Sequence, residues 1–237
     1  MDKLLINSIY MACEGEGVFI GSSQIFIRFQ GCSIGCANCD SMDTWEFDSK
    51  YGIEFSEVLS RVEKIHNEFP VKRISITGGD PLHPAHLPGV LKIVSHYKKK
   101  GFFVNIEASG MRVVPELFDA VDFVSFDYKT PSTKVRGKKE LVAQMAVKYP
   151  GRFQVKSVVA DVADFMDVNE AFEYCRDQLK VSRLPFDWCI TPCYCPGEEF
   201  SPARTERIIS LNDACGGPFR IIGQQHKYLY GPDRRNI

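Results

Sequence analysis

The sequence lacks three features that mark large classes of proteins: an excess of charge of one sign, a long apolar run, and repeated or low-complexity segments. Its 237 residues carry 29 Lys plus Arg against 30 Asp plus Glu, whereas nucleic-acid-binding domains usually have a basic excess. No apolar run approaches the roughly 20 residues of a membrane helix. With 44% apolar residues and no visible linker, we predict one folded domain over residues 1–237 that binds neither nucleic acid nor membrane.

The chain also begins without the basic start, apolar stretch and small-residue cleavage site of a signal peptide, so we expect a cytoplasmic location. We do not expect the nine cysteines to form a set of disulfides in that compartment, because the cytosolic thiol pool is kept reduced. Some of them should therefore bind metal, take part in chemistry or fill core space.

Strand-like and helical patterns alternate along most of the chain. We predict strands at 24–29, 73–77, 102–106, 123–126, 153–159, 188–191 and 219–222. We predict helices at 55–69, 88–99, 138–149, 165–180 and 203–214. This alternation predicts an α/β fold of βαβ units with mostly parallel strands. About six units favour an incomplete (β/α) barrel over a complete eight-fold one, which typically needs about 250 residues.

The strongest chemical signal is a CxxxCxxC motif, Cys32, Cys36 and Cys39, directly after the first predicted strand. Four cysteines would fill the coordination of an iron–sulfur cluster, whereas three on four irons leave one iron open to a substrate or cosubstrate. A structural zinc site would need a fourth ligand, for which Cys13 is a distant candidate. Thiols that merely fill core space are the plainest alternative, although three within eight glycine-bracketed residues fit it poorly.

The cysteine motif and the later Gly78-Gly79-Asp80-Pro81 resemble the two signature motifs of the radical S-adenosylmethionine (SAM) superfamily. The resemblance implies a [4Fe-4S] cluster on the three cysteines and a modified radical SAM core fold. It also implies that one electron from the cluster cleaves bound SAM to a 5′-deoxyadenosyl radical. Asp80 stands where the superfamily more often has Glu.

The segments around the cluster motif are similar to the 7-carboxy-7-deazaguanine synthase family. They are Glu14-Gly15-Glu16-Gly17, residues 26–31, Cys39-Asp40-Ser41 and Gln225-His226-Lys227-Tyr228. The resemblance implies conversion of 6-carboxy-5,6,7,8-tetrahydropterin to 7-carboxy-7-deazaguanine, a queuosine precursor, with loss of ammonia. The family usually has Gln where Glu14 stands.

Site residues follow from the same resemblance. SAM contacts are implied for Asn38, Cys39, Asp40, Gly79, Asp127, Tyr128, Lys129, Thr191 and Pro192. Substrate contacts are implied for Cys13, Glu14, Gly15, Arg28 and Thr77, and a Mg²⁺ contact for Ser41. The planar fork of Arg28 suits a substrate carboxylate, although a surface-paired arginine would look the same in sequence.

The resemblance further implies a homodimer and a one-electron reductant such as flavodoxin. Two alternatives stay open: an activase of a glycyl radical enzyme, and a non-enzymatic iron–sulfur electron carrier. Cys189, Cys193 and Cys195 do not have a standard ligand spacing, so we expect structural thiols there. The basic runs 98–100 and 134–139 are most simply solvated helix ends. Segment 7–45 holds the predicted substrate and cluster residues, and the tail 231–237 has no predicted role.

Overall fold

The computed structural model describes residues 3–194 and 201–231. The strands are β1 (Leu4–Cys13), β2 (Ser23–Phe29), β3 (Gly52–Ile53), β4 (Arg73–Gly78), β5 (Phe103–Ala108), β6 (Phe123–Asp127), β7 (Phe153–Val159), β8 (Asp187–Pro192) and β9 (Arg220–Ile221). They form one sheet in the order β3-β1-β2-β4-β5-β6-β7-β8-β9. β1 is antiparallel to β2 and β3, and every pair from β2 to β9 is parallel.

The helices are α1 (Phe55–Glu68), α2 (Leu87–Lys99), α3 (Pro115–Ala120), α4 (Lys139–Lys148), α5 (Val162–Leu179), α6 (Pro202–Ala214) and α7 (Gln225–Tyr230). Each consecutive pair of parallel strands is joined through one of the helices α1 to α6. The sheet is open, since β3 and β9 are its unpaired ends. The predicted α/β fold with an incomplete (β/α) barrel is therefore confirmed.

The apolar side chains explain this arrangement. Each parallel strand from β2 to β8 contributes buried Ile, Val or Phe residues, as expected for strands covered on both faces. On α1, the apolar spacing predicted from sequence buries Val58 and Val62 against the sheet. None of the helices in the described part of the chain has both the length and the apolar content needed to cross a bilayer.

The most important unpredicted element is β1, which supplies Asn7, Tyr10 and Cys13 to the site described below. Its ten residues lack strict alternation because the pairing with β2 is shifted between Ile6 and Ser8, which changes the side-chain phase. The helices α3 and α7 were also not predicted, and each is only six residues long. A helix this short carries too little periodicity to be recognised.

The inner face of the parallel strands carries a ladder of polar side chains below the site. Asn105 on β5 donates to the Ser75 hydroxyl at 2.9 Å and accepts from the Ser125 hydroxyl at 3.3 Å. Gln154 on β7 donates to Ser125 at 2.9 Å and accepts from the Val18 N–H at 2.7 Å. These buried groups hydrogen-bond one another, so the interior is polar without leaving them unsatisfied.

Candidate functional site

The carboxyl ends of the parallel strands open into a cavity of about 600 Å³. Sixteen of the residues predicted from sequence line it: Cys13, Glu14, Gly15, Arg28, Cys32, Cys36, Asn38, Cys39, Asp40, Ser41, Thr77, Gly79, Asp127, Tyr128, Lys129 and Thr191. Pro192 is buried at the end of β8 and does not line it. The strand ends of a (β/α) barrel are where such folds place their chemistry.

The loop that carries the three cysteines is fixed by backbone hydrogen bonds at both ends. The N–H groups of Gly31 and Cys32 donate to the carbonyls of Thr44 and Trp45 at 2.7 and 2.9 Å. The buried Gln30 side chain donates to the carbonyls of residues 43 and 46, each at 2.9 Å. The loop therefore returns on itself, so that its three thiols face one region.

Burial and nearby backbone N–H groups define the surroundings of the three thiols. Burial raises the pKa of the Cys32 and Cys36 thiols, so a bound metal would have to displace their protons. The N–H groups of Ile34 and Ser41 approach the Cys32 and Cys39 sulfurs at 3.5 and 3.4 Å, a contact that also stabilises cluster sulfurs.

Within residues 3–194 and 201–231, no three His, Cys, Asp or Glu side chains converge tightly enough to hold a single ion. A zinc ion would need ligand sulfurs at about 2.3 Å. A cluster instead spreads its thiolates, since each binds a different iron.

The loop after β4 packs against the cysteine loop. The N–H of Gly79 donates to the Phe29 carbonyl, and that of Asp80 donates to the Gly31 carbonyl, each at 3.0 Å. Gly78 has φ +120°, and a Cβ there would overlap the Phe29 backbone. The two motifs found in the sequence therefore form one folded unit.

The Asp80 carboxylate faces into the protein. Its side chain is fully buried, accepts from the Leu82 N–H at 3.2 Å and lies 3.7 Å from an Arg112 guanidinium nitrogen. Asp80 does not line the cavity. The shorter carboxylate at this position is thus part of the support for the loop.

Arg28 is the principal cation at the mouth of β2. Its guanidinium donates to the Ser41 hydroxyl at 3.0 Å and to the Tyr10 hydroxyl at 2.8 Å. Strand register pairs Arg28 with Thr77 on β4, so the two predicted substrate contacts are neighbours. These two hydroxyl groups use only part of the five N–H donors of the guanidinium, so Arg28 can also bind an acceptor in the cavity.

Ser41 joins this group to the cluster loop. Its hydroxyl donates to Asp40 at 2.9 Å while accepting from Arg28. Desolvation acts to raise the pKa of Asp40, but the Ser41 hydroxyl and the positive charges of Lys227 and Arg28 outweigh it and keep that pKa below its ordinary value. Asp40 therefore stays ionised beside the two cations.

The residues predicted to contact SAM lie on the other side of the cysteine loop. Lys129 forms an ion pair with Asp127 at 2.8 Å. Burial acts to lower the pKa of Lys129, but the Asp127 carboxylate outweighs it and raises that pKa. The Asn38 amide lies 3.9 Å from the Cys193 sulfur, and this contact connects the cysteine loop to the end of β8. The Tyr128 ring packs edge-on against a core tryptophan, so its side chain also serves the fold.

Comparisons with known proteins agree with this geometry. The 4Fe-4S single cluster domain family matches residues 13–158, more than half of the chain. The 7-carboxy-7-deazaguanine synthase of Methanopyrus kandleri is 31% identical over 250 residues, covering 95% of this chain and 93% of its own length. The chain belongs to the 7-carboxy-7-deazaguanine synthase family.

Two further relatives show how far the likeness extends. The 7-carboxy-7-deazaguanine synthase of Aquifex aeolicus is 31% identical over 114 residues, and that alignment spans only 48% of either chain. The crystal structure of QueE from Escherichia coli superposes with a TM-score of 0.67 at 22% identity, covering 94% of this chain and 95% of that one. At that identity the superposition shows the fold alone.

The structure adds a buried ion cluster that sequence reasoning missed. Lys156 on β7 lies 2.6 Å from Glu107 on β5 and 3.4 Å from Glu16, and all three line the cavity. Glu14 lies beside them, 9% exposed, and accepts from the Gln24 amide at 2.6 Å. One signal was available in the sequence: a lysine in the middle of the predicted strand 153–159 must be paired if it is buried.

Glu14 differs from its neighbours in its protonation. Burial, reinforced by the negative charge of Glu107, raises the pKa of the Glu14 carboxyl to about 7, although Lys156 and the Gln24 hydrogen bond oppose the shift. A neutral carboxyl carries a donor as well as an acceptor, as an amide does. Glu14 can therefore present the hydrogen-bonding pattern of the Gln usual in the family while it is protonated.

The C-terminal helix α7 closes one wall of the cavity. The Gln225 N–H donates to the Gly15 carbonyl at 3.0 Å, and the Gln224 amide donates to Glu16 at 2.5 Å. A Cβ on Gly15 would overlap the His226 ring, so only glycine permits this approach. The segment 225–228, which resembles the family, thus packs on the predicted substrate contact Gly15.

The remaining cysteines of the described chain differ in burial and position. Cys189 is fully buried, and burial raises its pKa to about 12; Cys175 is also fully buried. Cys193 is buried at the end of β8, and Cys215 is exposed on the surface. Cys195 and the tail beyond residue 231 lie outside the described residues.

Proposed function

We propose that this protein converts 6-carboxy-5,6,7,8-tetrahydropterin to 7-carboxy-7-deazaguanine with loss of ammonia, as a radical SAM lyase. The observation that carries the proposal is Arg28. Two neutral hydroxyl groups hold its guanidinium at the cavity mouth and use only part of its five N–H donors. A fixed arginine of this kind suits the one carboxylate that the substrate offers.

The opposite end of the cavity suits the ring of the same substrate. A pterin presents a flat edge of N–H donors, and Glu16 and Glu107 offer carboxylate oxygens there beside Lys156. Glu14, with a pKa near 7, can donate or accept according to the ring atom it meets. Thr77 lies between the two ends and can hydrogen-bond to the ring.

Ser41 is the residue we assign to Mg²⁺. Its hydroxyl lies 3.0 Å from an Arg28 nitrogen, so an ion on Ser41 and the Arg28 fork would share one substrate carboxylate. A hard cation with one protein oxygen, a substrate oxygen and waters is ordinary for magnesium. Asp40, kept ionised, adds negative charge next to that position.

The [4Fe-4S] cluster would be held by Cys32, Cys36 and Cys39, and SAM would bind its open iron. The residues that would contact SAM are Asn38, Asp40, Gly79, Asp127, Lys129 and Thr191. When bound, the cluster and SAM supply the radical that removes a hydrogen atom from a substrate carbon. The protein orients the substrate and excludes water. We extend the proposal to a homodimer and to a one-electron reductant such as flavodoxin.

The proposal is tested by anaerobic turnover of the reconstituted enzyme with dithionite, SAM, Mg²⁺ and the carboxypterin. We expect 7-carboxy-7-deazaguanine by mass spectrometry, and a strong loss when Mg²⁺ is removed. Formation of 5′-deoxyadenosine without the deazapurine would retain the radical chemistry and refute the substrate.

Two alternatives have their own signatures. A glycyl-radical-enzyme activase would form a tight stoichiometric complex with a large protein, and its site would give Arg28 no role. A plain electron carrier has a closed cluster, so the spectrum of its reduced cluster would not change on adding SAM. Iron content separates one cluster, near four irons per chain, from two, near eight.

A further inference from the structure

Three cations stand on the loop of residues 134–138, here called the basic loop, which leads into α4. Lys134, Arg136 and Lys138 are all exposed. Lys134 and Arg136 form no ion pair in the described part of the chain, and Lys138 donates to the Met111 carbonyl at 3.0 Å. The neighbouring Glu170 is engaged by Lys139, outside this loop. Glu140 and Asp167 line the same concavity as the basic loop, but in the described residues neither forms an ion pair with its three cations.

The basic loop adjoins the cysteine loop. The Ala37 N–H, between Cys36 and Cys39, donates to the Thr133 carbonyl at 2.8 Å, and Lys134 is the next residue. Ala37 and Gly35 are exposed, and the space around the Gly35 Cα is open. A protein seated on the basic loop would thus also cover the outer rim of the cluster loop.

The turn that presents the basic loop is firmly built. The Thr130 hydroxyl donates to the Val158 carbonyl at 2.7 Å, and the Ser132 N–H donates to the buried Asp164 carboxylate at 2.9 Å. The Thr133 hydroxyl donates back to the Thr130 carbonyl at 2.7 Å. Lys134 follows in the left-handed region with φ +58°, a conformation that surrounding structure must hold in place.

The other basic run of the chain differs in both pairing and position. In the run 98–100, Lys98 pairs with Asp122 and Lys100 pairs with Glu63. That run ends α2 just before β5 begins, at the end of the barrel opposite the cluster. Among the described residues no ion pair engages the basic loop, so its cations would attract an acidic partner to the side of the protein that carries the cysteine loop.

We propose that the basic loop is the docking surface for an acidic one-electron carrier protein, which reduces the cluster through the adjoining rim of the cysteine loop. The inference rests on the proposed function, since cleavage of SAM consumes the electron that the carrier delivers. A flavodoxin-type carrier in its hydroquinone form gives up one electron and becomes the semiquinone, and the total charge of the cluster falls by one. No bond or proton at the docking surface changes.

The test compares the charge-reversed variant K134E/R136E with a matched control, K64E/K92E. Lys64 and Lys92 are exposed on α1 and α2 and carry no ion pair in the described residues, so both variants change net charge equally. Two quantities are measured on the reconstituted protein: the Kd for oxidised flavodoxin, and the rate at which reduced flavodoxin bleaches the cluster absorbance. R136E alone serves as a second variant that leaves the strained Lys134 in place.

We expect K134E/R136E to weaken flavodoxin binding and slow cluster reduction by about ten-fold or more at low salt, and the control to change neither by more than about two-fold. Reduction by dithionite should be unchanged in every variant. Equal effects in the two variants, or none in either, would overturn the proposal, as would loss of reduction by dithionite. If dithionite-reduced enzyme makes no deazapurine, the proposed function fails, whereas binding and bleaching still report on docking.

Discussion

Replacing Glu14 by Gln should stabilise the protein at alkaline pH and remove a pH dependence. The pKa of Glu14 rises from its usual 4.5 to about 7 on folding, chiefly through burial. A carboxyl with a raised pKa binds its proton more tightly in the folded state, so stability falls as pH rises from about 4.5 through 7. A shift of about 2.5 units corresponds to about 3 kcal/mol above pH 7.

The amide cannot reproduce both contacts of the carboxylate. Glu14 accepts from the Gln24 amide at 2.6 Å and from the Glu16 N–H at 3.2 Å, and losing one of these bonds costs about 1 kcal/mol. The expected net gain is therefore about 2 kcal/mol at pH 8. At pH 5 the folded protein holds Glu14 neutral, so the raised pKa costs the wild-type protein only about 1 kcal/mol. The lost hydrogen bond offsets that amount, and we therefore expect almost no net gain from E14Q at pH 5.

The assay is urea unfolding of E14Q and wild-type protein under anaerobic, reducing conditions at pH 5 and pH 8. E68Q, at an exposed carboxyl at the end of α1, is the matched control and should stay within about 0.5 kcal/mol of wild type at both pH values. Destabilisation of E14Q at pH 8, or an equal gain at both pH values, would refute a raised pKa at this position.

Two further substitutions test the site and the loop that supports it. Arg28→Lys keeps the positive charge but loses the planar guanidinium that Tyr10 and Ser41 hold in place. We therefore expect KM for the carboxypterin to rise about ten-fold while SAM binding is unchanged. An unaltered KM would contradict carboxylate binding at Arg28. Gly78 has φ +120°, and the Cβ of Gly78→Ala would overlap the Phe29 backbone, so this variant should lower the free energy of unfolding by about 2 kcal/mol or more in urea titration. Gly151→Ala is the control, because Gly151 also has a positive φ but its Cβ would meet nothing within 4 Å. The difference between the two variants therefore measures the overlap alone. Equal losses in the two glycine variants would show that the contact with Phe29 is unimportant.

Most of the parallel sheet could be predicted from the sequence, because its strands are apolar and its helices have a periodic pattern of apolar residues. The strand predicted at 153–159 is β7 with the same bounds, and the helix predicted at 55–69 ends one residue earlier in α1. β1 was missed because its bulge breaks the alternation on which strand prediction depends.

The site was predicted best where its residues follow a strand closely in sequence. Arg28, the cysteine motif and Thr77 come together because neighbouring parallel strands end at one edge of the sheet. The contact between Glu16 and Lys156 joins residues 140 positions apart, and the packing of His226 on Gly15 joins the two ends of the chain. Such contacts depend on how far the sheet curls, which no local pattern specifies.

The central claim is that this site turns a carboxypterin into a carboxydeazaguanine. The most direct measurement quantifies 7-carboxy-7-deazaguanine and ammonia together during anaerobic turnover of the reconstituted enzyme with SAM, Mg²⁺ and reductant. The account predicts that the two appear in equal amounts and that neither forms in a C36A variant. Ammonia-free consumption of the pterin, or 5′-deoxyadenosine accumulating without the deazapurine, would contradict it.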